Sequence, residues 1–600
     1  MSRPGHGRGR RPGRLFALVT VLACAAGCAG VPTGGRVASG PPAERVEQVD
    51  DPYVRIVPVR PGADWEPVDI VRGFLIASAS FDDGHRVARA YLAPGTEWQP
   101  EARPGVTVYE DSVDVVATEP GATQVSVAVR GSQVGAIGRD GQYEADARPI
   151  DQTFHLSRDA RGQWRISGLP EQLTDGLLLS RRDVDRAFRT LNLYFFAPDG
   201  NVVVPNPVFL PLVNRQDLAR QLVRALLGGP TSWLQPAVKT TFPAGTRLLG
   251  DGVQVSDGVA VVDLSAEART GDRRRMSAQL MWTLRQLPEV RQMRIQIDGE
   301  TVRPDGAGPT QSPRDWIGYS PDASTPETPQ PAFLRGPDAR LHRLGEDASQ
   351  PVGDTVHRPA VSLDAGFVAG LDEDGRQVLA GPVRAGATTL RGTLVASRPR
   401  SRFTTPTWDR NGALWVVESD SEGSWLWVKE SGREWARVER WGLGGYEVLA
   451  MRIARDGVRV AALVKDGERA QIQLGRIARE PAGRVMGENF LPVSSDVVNA
   501  RDLFWYDSGT LAVLGTTAAD TQVFPYLVPV SGGMITPIGI GALGDPVSIT
   551  AAPDSPVLVG SIRRDAQGRQ RAHICRQRNP DERSSEWLCT VPGSDPAYPG

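Results

Sequence analysis

The stretch Gln221-Leu-Val-Arg-Ala-Leu-Leu-Gly-Gly-Pro230, followed by Thr241-Phe-Pro-Ala-Gly-Thr-Arg-Leu-Leu249 and Gly252-Val-Gln-Val-Ser-Asp-Gly-Val-Ala-Val-Val-Asp-Leu-Ser265, decides how the chain is organised. It reads as a helix that stops at Gly228-Gly229-Pro230, then two short apolar strands turning at Ser256-Asp257-Gly258 between alternating hydrophobic residues. It holds no nucleophile with a base, no metal-ligand spacing and no phosphate loop. Its expected work is therefore binding.

The flanks complete a domain over 190–302. Residues 191–196 read as a strand, Asp199-Gly200 as a turn and Asn214 as the cap of a helix over 217–227. Downstream, a helix over 274–287 offers Met276, Leu280, Trp282, Leu284 and Leu287 to a core, and a strand over 290–297 ends at Asp298-Gly299. The basic triplet Arg273-Arg274-Arg275 reads as a solvated helix start in preference to an anion site.

Six hundred residues exceed one hydrophobic core and imply three or four domains. A formal charge of −2 gives no footprint for nucleic acid, and 65 Gly with 48 Pro suit a turn-rich β protein. At the start, Arg3, Arg8, Arg10, Arg11 and Arg14 precede an apolar run over 15–26, the charged and apolar regions of a secretory signal. About 12 residues are too few for a permanent span. The run ends in Ala25-Ala26-Gly27-Cys28, which fits a lipobox, so 1–27 is the expected lipoprotein signal peptide and Cys28 the lipidated residue, carrying N-palmitoyl and S-diacylglycerol groups. Ordinary cleavage, or a lipobox ending at Cys24, are the alternatives. Residues 28–50 are small and turn-rich, a tether.

Residues 51–180 begin helical, with Ile70, Val71, Phe74, Leu75, Ala77 and Ala79 on one face and a second helix expected over 85–92. Strands are expected over 106–108, 113–117, 124–130, 143–150, 151–156 and 164–166, an α+β plan that resembles the NTF2-like fold. Asp82, Asp83 and His85 read as a loop, not a catalytic cluster, and His155 as a half-buried structural residue. Residues 303–332 form a Pro/Gly-rich linker, with Asp315-Trp-Ile-Gly-Tyr319 too apolar to be free.

Over 333–600 five stretches repeat strand, polar turn, strand. With Gly366, Gly412, Gly457, Gly509 and Ser555 aligned, the intervals are 46, 45, 52 and 46 residues, the spacing of β-propeller blades. Ala339-Arg-Leu-His-Arg-Leu344 offers a closing strand or part of a further blade. Acids recur at Asp364, Asp409, Asp456, Asp507 and Asp554, one per repeat. An acid repeated at a hairpin is there to make the turn, because Asp bonds its own backbone and tolerates unusual dihedrals. A hydrolase would carry singular acids. Cys575 and Cys589 are a candidate disulfide stapling the chain end to the last folded unit, since zinc would need further ligands and only His573 is near. No catalytic residue, metal site or cofactor is expected.

The lipobox Cys28 followed by Ala-Gly-Val-Pro-Thr-Gly-Gly, the segment Val223-Arg-Ala-Leu-Leu-Gly-Gly-Pro-Thr-Ser-Trp-Leu234 with the Asp257-Gly-Val-Ala-Val-Val-Asp-Leu-Ser265 hairpin, and the propeller repeat together resemble the actinobacterial LpqB family of lipoproteins. The central segment is similar to the GerMN domain. The resemblance implies a multidomain α+β and all-β chain: an NTF2-like N-terminal domain, a GerMN α/β domain and a C-terminal β-propeller. It further implies a lipid-anchored protein on the extracytoplasmic side of the cell membrane, not an enzyme, whose partner is the extracellular domain of an MtrB-like sensor histidine kinase of an MtrAB-like two-component system, with effects on cell-wall homeostasis and division. Cell-wall material is a further expected partner. The competing reading is a cell-wall glycan- or peptide-binding protein, or hydrolase, acting through the propeller; an envelope scaffold is a third.

Overall fold

The computed structural model describes residues 57–600 apart from 101–104, 121–122, 213–214, 251, 323–329, 346–350, 384–389, 480–484, 566 and 580–584. The signal peptide, Cys28, the tether and the Asn214 cap lie outside the described residues.

In the first unit the helix Pro67–Ser78 buries Ile70, Val71, Phe74, Leu75 and Ala77, the face its periodicity marks. Pro67 suits the first turn, where its missing N–H bonds nothing. The second helix shrinks from the expected 85–92 to Arg86–Arg89: Asp83, Gly84 and His85 all have positive φ and hold its start in a left-handed turn, while from Ala90 to Leu92 the bonds tighten to i→i−3 and Leu92 bridges to Ile166. Six strands form one sheet, ordered Trp164–Gly168, Tyr143–Arg158, Gln124–Ile137, Val106–Tyr109 and Leu177–Ser180, with Asp114–Pro120 also on Gln124–Ile137. The strands expected over 143–150 and 151–156 are one 16-residue strand, since nothing at Ile150-Asp151 turns the chain. Leu177–Ser180, running parallel to Val106–Tyr109, is fully buried and so lacks the alternation that would mark it.

In the central unit Asp257 and Gly258 both have positive φ, the two-residue hairpin geometry, between Gln254–Ser256 and Val259–Leu264. Val259–Leu264 runs parallel to Gln292–Ile297, and the helix Arg273–Leu284 makes the crossover. Asp272 caps that helix by accepting from Arg275 N at 3.0 Å. A strand absent from the sequence reading, Val203–Pro211, pairs antiparallel with Phe188–Phe196. Pro205 and Pro207 hid it, yet a two-stranded ribbon tolerates them.

The segment read as linker is structured over 310–319. Thr310–Gln311 joins the central sheet beside Gln292–Ile297, and the 3₁₀ turn Pro313–Tyr319 buries Trp316. Trp282 Nε1 donates to the Trp316 carbonyl at 3.1 Å, and Arg274 Nε to the Tyr319 hydroxyl at 2.9 Å. The apolar island therefore docks on the central unit.

Beyond it the described residues form six four-stranded blades. Five begin at His357–Val361, at Arg402–Phe403 with Thr407–Trp408, at Val448–Ile453, at Val497–Asp507 and at Asp545–Thr550, and carry the repeat. In the sixth, Ser594–Ala597 supplies the first strand and Phe333–Arg335, Arg340–Arg343 and Pro351–Thr355 the other three. The aligned turn joins first and second strands within a blade. In the sixth those strands come from opposite ends of the segment, so no turn exists there and only five repeats are legible.

The units share cores. Leu193, Phe195, Leu222, Leu234 and Ile295 of the central unit belong to the same apolar cluster as Ile472, Leu474, Trp505 and Val513 of the propeller. Trp233 Nε1 donates to the Asn489 carbonyl at 2.7 Å. Arg181 holds Asp496 with contacts of 3.0 and 2.8 Å, and the Asp140 carboxylate accepts from Ser232 N and Oγ, so the first unit is tied to both others. Asp322 lies against the propeller, accepting from Ser508 Oγ at 2.7 Å.

Two outcomes follow from these joins. Trp233→Ala removes a buried indole and its bond, and lowers stability by about 3–5 kcal/mol, read as a fall in the thermal midpoint. Burial pushes the Asp322 carboxyl above its usual range. The folded state then holds the proton longer than the unfolded chain, so stability falls as pH rises from about 4 through the raised pKa. Asp322→Asn flattens that slope in urea midpoints measured from pH 4 to 7.

Candidate functional site

The first strands of the blades line a channel on the propeller axis, with a cavity of about 940 Å³. One end is floored by residues 598–600. Tyr598 N donates to Thr550 Oγ1 at 3.1 Å, Gly600 N to the Val361 carbonyl at 3.0 Å, and Arg455 Nη2 to the Pro599 carbonyl at 2.8 Å. Arg455 belongs to the blade opposite the one whose first strand is Ser594–Ala597, so residues 598–600 and Arg455 together bridge the axis. The other end carries Arg358, Arg400, Arg402, Asp420, Glu447 and Arg501.

Inside the wall a singular ion pair joins Arg452 and Asp502, 3.5 Å apart, with side chains only 5% and 13% exposed. Asp502 accepts from Leu503 N through Oδ1 and from Ile549 N through Oδ2, both at 3.0 Å. Burial raises the Asp502 carboxyl, against the pull of Arg452. Burial likewise lowers the Arg452 guanidinium, and the nearby charge of Arg358 adds to the fall. These residues escaped the sequence reading, although a signal existed. Seven positions before the aligned turn residue the repeats hold Pro359, Thr405, Ala450, Asp502 and Ser548; five before it, Val361, Thr407, Arg452, Phe504 and Thr550. In each register one charge breaks the period.

The periodic acids are bound into their turns. Asp364 accepts from Gly366 N at 3.0 Å, Asp409 from Asn411 N and Ala413 N, Asp456 from Val458 N and Arg459 N, and Asp507 from Gly509 N, while Asp554 has φ +54°. Asp409 also takes Trp415 Nε1 and Arg479, and Asp456 the Arg459 guanidinium. These acids brace hairpins, and none of them lines the axial cavity.

Cys575 and Cys589 are bonded, facing each other across the strands Gln570–Gln577 and Trp587–Pro592. Both strands belong to one blade, so the bond staples a sheet to itself. What holds the end of the chain is the pairing of Ser594–Ala597 in the next blade. His573 points elsewhere, its Nδ1 3.2 Å from the Arg571 carbonyl. Among the described residues no group of three or more His, Cys, Asp or Glu is placed to hold a metal.

Asp83 pairs with Arg86 at 2.9 Å, and His85 is buried between the rings of Phe81 and Trp98. His155 lies on the exposed face of its strand, bonded to Ser126, and is less buried than expected. Of the basic triplet Arg273 and Arg274 are exposed and Arg275 partly so, although Arg274 lies over the Trp316 ring and Arg275 over Phe196. A cleft of about 750 Å³ borders the first sheet at Gly131–Val134 and Ala147–Pro149, with Thr517–Ala519 and Tyr526 of the propeller forming its other wall.

An αβ unit fused through its core to a six-bladed ring defines a multidomain propeller protein with one axial cavity of ligand size. Residues 60–185 match the N-terminal domain of lipoprotein LpqB, 192–303 a sporulation and spore germination domain, and 344–599 the LpqB β-propeller domain. Lipoprotein LpqB of Thermobifida fusca is 34% identical over 98% of this chain and 99% of its own, and that of Streptomyces coelicolor 29% identical over 99% of each. The chain belongs to the LpqB lipoprotein family. The first GerMN domain of the Bacillus subtilis sporulation protein GerM, a solved structure, is 27% identical over 20% of this chain and 92% of that one, with a TM-score of 0.17. Among the described residues no helix is long and apolar enough to cross a membrane.

Asp502→Ala strands Arg452 in the wall and costs about 3–5 kcal/mol in urea unfolding. Replacing both partners, Arg452→Met with Asp502→Leu, costs less than the single change, because no buried charge remains.

Proposed function

We propose that this lipoprotein is anchored through Cys28 on the extracytoplasmic face of the cell membrane and acts there without catalysis. It binds the extracellular part of an MtrB-like sensor histidine kinase and tunes that two-component system, and through it cell-wall homeostasis and division. The observation that carries this reading is the shared core. Central unit and propeller are presented as one body, and a partner that grips one is coupled to the other. The commitment of the periodic acids to hairpin turns supports a binding role over hydrolysis. The first unit, a sheet packed on the helix Pro67–Ser78, is read as NTF2-like.

The competing reading, a cell-wall glycan or peptide binder or hydrolase, is favoured by the axial cavity. Release of soluble fragments from purified peptidoglycan by the protein would support the hydrolase form.

Deleting the central unit is a poor test, because it would expose the propeller residues of the joint core. A photo-crosslinking residue placed in the intact lipoprotein at Ile76, Arg273 or Phe367, exposed on the three units, probes the contact in membranes. Adducts containing a sensor kinase, identified by mass spectrometry, are the expected outcome. Adducts at all three positions that contain no kinase would refute the proposal.

A further inference from the structure

The axial cavity carries an imbalance of charge. Its acids Asp420, Glu447 and Asp502 are matched by Arg398, Lys465 and Arg452. Among the described residues Arg358, Arg400 and Arg402 have no carboxylate partner, and Arg402 donates only to the Asp374 carbonyl. One lining acid, Asp595, has no cation; it accepts from Ser594 Oγ. Three free guanidinium groups against one free carboxylate leave the cavity positive in a chain whose formal charge is −2.

Arg452 is the second, independent sign. Its side chain is 5% exposed, and its Nε is buried with no hydrogen-bond partner. Nη1 reaches the Met451 carbonyl at 2.9 Å, but Asp502 lies at 3.5 Å and each of its oxygens already takes a backbone N–H. Nε itself is sealed from the cavity, but Nη2 reaches only Asp502 at 3.5 Å among the described residues, and a guanidinium so weakly bonded in a cavity wall is costly unless something accepts from it. Arg358, which acts on both members of the pair, sits at φ +48° in a bulge of His357–Val361. Such bulges re-aim side chains.

We infer that the axial cavity is a binding site for the carboxylate end of a peptide, gripped by Arg358 and Arg452 and attracted by Arg400 and Arg402. The guanidinium fork matches a planar carboxylate. About 940 Å³ lies within the range of ligand pockets, about 300–1,000 Å³. Phe504, Val547 and Tyr598 give the wall apolar surface for side chains. The floor at 598–600 admits a chain end and stops a polymer from threading through. Asp502 and Asp595 tolerate a singly charged group better than a phosphate. The inference rests on the cavity being a ligand site and is independent of the kinase contact.

The test immobilises the full-length protein in detergent and exposes it to a random tetrapeptide pool with free C-terminal carboxylates, and to the same pool amidated. Retention is read by mass spectrometry. Members of the free pool are retained, and amidation lowers retention at least tenfold. Arg358→Gln and Arg402→Gln, both exposed and therefore expected to keep the wild-type melting temperature, lower it likewise. Equal retention of the amidated pool, undiminished retention by Arg358→Gln, or no retention at all overturns the inference. So does displacement of the peptides by equimolar inorganic phosphate, which would assign the site to phosphate. A failed kinase crosslink leaves these results unaffected.

Discussion

The pairing of Ser594–Ala597 with Phe333–Arg335 is the constraint on which the rest depends. A propeller blade buries its faces only against its neighbours, so an open ring of five would expose two apolar sheet faces. Closing the ring with a blade drawn from both ends of the segment removes those faces. The same closure carries Tyr598 to Gly600 onto the axis, where they make the channel a blind cavity. Without it there would be neither a floor nor a defined ligand site.

The second organising feature is the core shared by the central unit and the propeller. Apolar residues of the hairpin unit and of the blades around Ile472 and Trp505 are one cluster, and the Trp233 indole crosses the seam to Asn489. A joint core makes hinge motion between these units expensive, unlike the small polar interfaces that usually join domains. The segment after the central sheet reinforces this. Trp316 is locked under the helix Arg273–Leu284, and a few residues later Asp322 is held on the propeller by Ser508. The presentation of any binding face is therefore set by packing, not by linker length.

Much of the fold was legible because its signals are local. The hairpin at Asp257-Gly258 and the five turns with their acids follow from backbone preferences a few residues long. Errors came where burial erased periodicity or proline masked pairing: Leu177–Ser180 is buried throughout, and Val203–Pro211 carries prolines that argue against a strand until its ribbon partner is known. The charged pair in the channel was the clearest miss. Arg452 and Asp502 do not recur from blade to blade, so what marks them is that each is the one charge in its register.

The sequence by itself determined the unit types, the blade spacing, the turn role of the periodic acids and the family of the chain, because these are written in contiguous residues. Only the tertiary structure decided that the ring has six blades, that the central unit and the propeller share a core, and that a blind, positively charged cavity lies on the axis. The physical reason is separation along the chain. Phe333 meets Ala597, Trp233 meets Asn489, and Arg358 acts on Arg452 and Asp502. Contacts between residues so far apart leave no periodic or local mark, and they exist only once the chain has closed on itself.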